Sequence, residues 1–90
     1  MDDIRVTPHN HIVFTEFDDG EGVLVDLNTK RYYQLNETAA LVWRALEQGK
    51  STREVVEELT AVYDVTREHA TESVEKLLRS FQSNKLVVQS

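Results

Sequence analysis

The residues best suited to hold a metal or move a proton are three histidines, and their placement favours neither role. His9 and His11 are separated by one residue and His69 lies far along the chain, with no Asp or Glu at an evident ligand spacing. They read as polar residues of an N-terminal arm and of a helix's first turn. Ser51 and Thr66 stand where helix caps belong, and the chain has no cysteine to supply a thiolate. "DDGEG", Asp18 to Gly22, carries three carboxylates in five residues but lacks the ligand spacing and closing Glu of an EF-hand, so a solvated hairpin turn accounts for it. Neither glycine-rich phosphate-binding pattern is present. No catalytic residue, metal or cofactor is expected, and the chain reads as a non-enzyme.

If chemistry is not the task, charge and size narrow what else it can be. The net charge of −6, from 16 acidic and 10 basic residues, repels phosphate backbones unless the basic residues gather on one face. They do not. No apolar run approaches the roughly 20 residues of a membrane helix, and the absence of cysteine suits a reducing compartment, so a cytoplasmic location without membrane or nucleic acid is expected. Ninety residues with 40% apolar content support one small core.

The elements follow from periodicity. "HNHIVFTEF" and "GVLVDLN" read as strands joined by the acidic turn, and "NTK", Asn28 to Lys30, reads as a short hairpin loop before a third strand, Arg31 to Leu35. Asn36 is then an N-cap, and Ala39, Val42, Trp43 and Leu46 form the apolar stripe of a helix ending at Gly49. "STRE", Ser51 to Glu54, matches a capping box for a second helix ending near Asp64. Thr66 caps a third, longer helix striped by Ala70, Val74, Leu77, Leu78 and Phe81, and "LVVQ" after it reads as a short terminal strand. The expected fold class is α+β and winged helix-turn-helix-like: a three-stranded antiparallel sheet followed by three helices, with an arm over residues 1–10 and the domain over 11–90.

In such a meander the strand Arg31 to Leu35 is an edge. "RYYQL" has good β propensity, no proline and one charge, so its unpaired backbone groups look open rather than blunted. An open edge beside an apolar helix face suits an extended peptide that adds as a further strand. The competing explanation is that the terminal "LVVQ" segment or a second copy of the chain covers this edge. A second competitor is DNA binding through the third helix, but its Arg67, Lys76, Arg79 and Lys85 are offset by Glu68, Glu72 and Glu75.

The stretch "LNETAALVWRALEQGKSTREVVEELTAVYDV", Leu35 to Val65, resembles the PqqD-like family. The likeness rests on the Leu-Asn pair at the strand–helix junction, Ala39, the Val42-Trp43 pair, the Gly49 and Thr52 turn, the Val56 and Leu59 stripe, and Tyr63-x-Val65. The upstream hairpin "DDGEGVLVDLNTKRYYQLN" and the downstream "VEKLLRSFQSNKLV" are similar to the same family, which has Gly more often where this chain has Lys85. The resemblance implies a recognition element that binds the leader segment of a ribosomally made precursor peptide by strand addition, against the third helix, and delivers it to a modifying enzyme. The hairpin looks most like the discrete recognition proteins of lasso-peptide biosynthesis, whose partners are a leader peptidase and a cyclase. The alternative within the family is a peptide chaperone of pyrroloquinoline-quinone biosynthesis.

The expected peptide contacts are therefore Arg31, Tyr32, Tyr33, Gln34 and Leu35 on the edge, with Val74, Glu75, Leu77 and Leu78 on the third helix. Side chains alternate along a strand, so Tyr33 and Leu35 should face the helix and Tyr32 and Gln34 the other side. Asp26 and Glu75 would steer a basic leader, and Tyr33→Pro would remove an edge donor. The free protein is expected as a monomer or an edge-paired dimer.

Overall fold

The computed structural model describes residues 5–89. Strands β1 (Val6–Pro8), β2 (Ile12–Glu16), β3 (Gly22–Asp26) and β4 (Arg31–Leu35) precede helices α1 (Glu37–Glu47), α2 (Thr52–Val62) and α3 (Arg67–Ser83), and β5 (Val87–Gln89) closes the chain. β2, β3 and β4 form the expected antiparallel meander. The α+β arrangement of a three-stranded sheet followed by three helices is thus present, with a second, two-stranded sheet of β1 and β5 added to it.

That second sheet changes the reading of both ends. Part of the stretch expected as an arm is core: Val6 is buried and lies across from Gln89, and His9 N–H donates to the Leu86 carbonyl at 3.0 Å. "LVVQ" does form a strand, but it pairs with β1 and leaves β4 alone. Burying Val6, Leu86 and Val87 together stabilises the pairing, since each buried aliphatic side chain contributes about 1.5–3 kcal/mol.

Each helix starts on a side chain that satisfies an orphan backbone donor. The Asn36 Oδ1 accepts from Ala39 N–H at 2.9 Å, Thr66 Oγ1 accepts from His69 N–H at 3.1 Å, and Ser51 with Glu54 completes the reciprocal capping box. α1 buries Ala39, Val42, Trp43 and Leu46 as its spacing predicts, and Trp43 packs edge-on against Phe81 of α3. α1 therefore lies between the sheet and α3 and holds the two in relation.

Helix ends use one motif twice. After α1, Gly49 N–H donates to the Leu46 carbonyl and Lys50 N–H to that of Ala45. After α3, Lys85 N–H donates to Gln82 and Leu86 N–H to Phe81. Both are Schellman closures, which place one residue in the left-handed region. Gly49 has φ +81 there, whereas the second site is filled by Lys85 at φ +59.

Candidate peptide-binding site

The β3–β4 hairpin is organised by Asp26. Its Oδ1 accepts from Asn28 N–H at 2.9 Å and Thr29 N–H at 3.2 Å, while its carbonyl accepts from Lys30 N–H at 2.7 Å. Lys30 takes φ +65, the left-handed position of a bulged hairpin turn. With Asp26 committed to the turn, the strand ends there, and Leu27, expected in the strand, joins the loop half-exposed at 48%. Asp26 itself is 3% exposed, so it does not serve as the steering charge expected of it. Burial pushes its carboxyl up, but the Thr29 and Asn28 backbone donors and the His11 imidazole, 3.8 Å away, together bring it below the ordinary carboxylate value.

The same hairpin decides which groups of β4 face outward. In an antiparallel ladder successive residues direct their backbone groups to opposite sides. Leu27 N–H donates to the His11 carbonyl on the β2 side, and the Asp26 carbonyl accepts on the β4 side. Continuing the alternation, Leu24 and Gly22 bond toward β4, and their register partners are Tyr33 and Leu35. Tyr32 and Gln34 are then the residues whose N–H and C=O point to the open side. Tyr33, expected to carry an edge donor, uses that donor within the sheet.

Side chains sort as their alternation requires. Tyr32 is 75% exposed and Gln34 is exposed, while Tyr33 is half-buried against the core and Leu35 is buried. On α3, Val74 and Leu78 lie within the core cluster, and Leu77 is partly buried at its margin. Of the three aliphatic residues expected there, Leu77 is the one with substantial surface; Val74 and Leu78 support that surface from behind. Glu75 is exposed and lines a concavity along the first half of α3 with Glu68 and Glu72.

Arg31 and Tyr33 open onto a different cavity, of about 500 Å³, between the hairpin end and the C-terminal end of α3. Ser83, Asn84 and Lys85 form its helix wall, and His9 and His11, their rings 4.9 Å apart, close a third side. Among the described residues no three His, Cys, Asp or Glu side chains are disposed to hold a metal. Sequence reasoning placed His9 and His11 on an arm and Lys85 in a turn; the β1–β5 pairing that gathers them joins residues about 80 apart, which no local pattern reveals. The role of Asp26 was within reach, because an Asp followed by a short polar loop is an Asx-turn signature.

Residues 21–87 match the family described as Coenzyme PQQ synthesis protein D (PqqD). The chain belongs to the PqqD family. Among solved structures, "TbiB1 in Complex with the TbiA(beta) Leader Peptide" superposes with a TM-score of 0.85 at 28% identity, covering 90% of this chain and 93% of that one. "Lasso peptide synthetase B1 complexed with the leader peptide" gives 0.83 at 31% identity, covering 93% and 98%. No curated protein matches the sequence. Both neighbours span nearly their whole length on this chain, so the likeness includes the β4 edge and α3 together.

Proposed function

We propose that this chain is a non-catalytic adaptor that binds the leader segment of a ribosomally synthesised precursor peptide, as a strand added to β4, and presents it to the leader peptidase of a lasso-peptide pathway. The observation that carries the reading is β4 itself. It pairs on one side with β3, and its other side directs the backbone groups of Tyr32 and Gln34 outward, while Tyr33 on β4 and Leu77 on α3 each stay only partly buried against the core. The two neighbours described as leader-peptide complexes support it, and they favour the lasso pathway over quinone-cofactor biosynthesis, which the family description supports.

Magnitudes divide the work between backbone and side chains. The two N–H and two C=O groups of Tyr32 and Gln34 offer four hydrogen bonds, each worth about 0.5–1.5 kcal/mol net. That totals about 2–6 kcal/mol, whereas micromolar affinity needs about 8 kcal/mol. Main-chain pairing supplies register, and side chains along Arg31, Tyr33, Leu35 and Leu77 must supply the remainder and with it the sequence preference.

Fluorescence-polarisation titration with labelled leaders from lasso-type and quinone-cofactor precursors, beside a scrambled leader and a duplex DNA, tests the proposal. Saturable micromolar binding of lasso-type leaders alone is the expected result. Preference for the quinone-type leaders moves the chain to the other pathway, and binding of the duplex alone overturns the adaptor reading.

A further inference from the structure

Going one step beyond strand addition, and resting on it, we propose that the cavity between the hairpin end and the end of α3 is a subsite for an acidic side chain of the bound peptide, placed opposite Arg31.

The first support is charge. Arg31 and Lys85 line the cavity against a single carboxylate, Asp26, so the lining is net positive in a chain of net charge −6. Asp26, across the ladder from Arg31, offsets one of the two positive charges but forms no ion pair with either: it is buried, bonded to Asn28 and Thr29 and facing His11. Among the described residues neither Arg31 nor Lys85 has a carboxylate partner. The remaining walls carry hydroxyl, amide and imidazole groups able to donate to a carboxylate.

A second support is conformational. Lys85 holds a left-handed position that glycine fills without strain, as Gly49 does at the end of α1. Such strain persists where the surrounding structure imposes it and clusters at ligand sites, and Lys85 is one of the residues lining the cavity.

Register supplies the third. An added strand pairs its backbone with Tyr32 and Gln34, so the peptide residue opposite Arg31 falls in a non-hydrogen-bonded pair, where Cα atoms approach to about 4.5 Å and side chains meet closely. That residue's side chain shares the face of Arg31 and Tyr33, which is the face of the cavity. The peptide therefore carries Asp or Glu at this position, with apolar residues two and four positions away, opposite Tyr33 and Leu35. This preference is opposite in sign to the basic leader that Asp26 and Glu75 were expected to steer.

Selection of a phage-displayed library of random 12-residue peptides on the immobilised full chain, and on the Arg31→Gln/Lys85→Gly double variant, tests the subsite. Glycine relieves the left-handed position, so the fold is not at risk, and circular dichroism checks it. The expected outcome is an acidic residue enriched at that spacing on the wild type and lost on the variant. In polarisation titrations the amide analogue of the enriched peptide should bind about fivefold more weakly to the wild type and equally to the variant. Enriched apolar peptides with no acidic preference, or a preference that survives in the variant, overturn the subsite alone. Failure to select any peptide overturns the subsite and strand addition together.

Discussion

Lys85 occupies at the end of α3 the structural position that Gly49 occupies at the end of α1: each is the left-handed residue of a Schellman closure. A non-glycine residue there costs about 1–2 kcal/mol, partly offset in glycine by its greater freedom in the unfolded chain. Lys85→Gly is therefore expected to raise stability by about 0.5–1 kcal/mol, read as a thermal midpoint higher by roughly 2–6 °C. An unchanged or lower midpoint would mean that the Lys85 side chain makes stabilising contacts equal to its backbone strain.

Trp43 and Phe81 meet edge to face, with centroids 5.3 Å apart and planes at 89°. Both are almost wholly buried, so truncating Phe81 removes packing, an aromatic contact and the brace between α1 and α3 at once. Phe81→Ala should cost about 3–5 kcal/mol, a large part of the roughly 4–13 kcal/mol available to a domain of this size. Urea denaturation should show the loss at unchanged m-value. Phe81→Leu, which keeps most of the volume, should cost less than half as much.

Asp26 makes stability depend on pH in a definite direction. Its folded value lies below the unfolded carboxylate value of about 3.9, so the unfolded chain binds the proton first as pH falls. Its contribution is fully present above the unfolded value and is lost as pH drops through the folded one. Urea midpoints measured from pH 7 down to pH 2.5 should fall more steeply for the wild type than for Asp26→Asn below about pH 4. Parallel curves would mean that the turn donors and His11 do not favour the charged form.

Legibility followed the range of the interaction. Asn36, Ser51 and Thr66 announce helix starts because capping acts over three residues, and the stripes of α1 and α3 repeat locally, so both could be read from the chain. The edge strand Arg31 to Leu35 was readable for the same reason. What escaped depends on distant or two-sided facts. β1 is too short to show a period, and its partner β5 lies at the other end of the chain. Val74 and Leu78 cannot be told from Leu77 by spacing, since one apolar stripe contains both core and margin. Which β4 donors face outward depends on the hairpin's hydrogen bonds, set by Asp26 and the left-handed Lys30.

That last point separates two neighbouring proline substitutions. Tyr33 N–H belongs to the ladder with β3, where Leu24 is its register partner, so Tyr33→Pro leaves a buried acceptor without its donor and should cost about 1–3 kcal/mol of stability. Gln34 N–H points to the open side, and proline is tolerated on an edge when its missing donor faces solvent. Gln34→Pro should therefore leave the denaturation midpoint nearly unchanged. Its effect should appear in peptide binding, because one register bond is lost and the ring stands where an added strand approaches. A drop of about tenfold in leader affinity with a preserved fold, measured by polarisation and circular dichroism, is the expected signature. If Gln34→Pro binds leader as tightly as the wild type, the peptide does not add as a strand to β4; if it unfolds while Tyr33→Pro does not, the alternation along the strand is reversed.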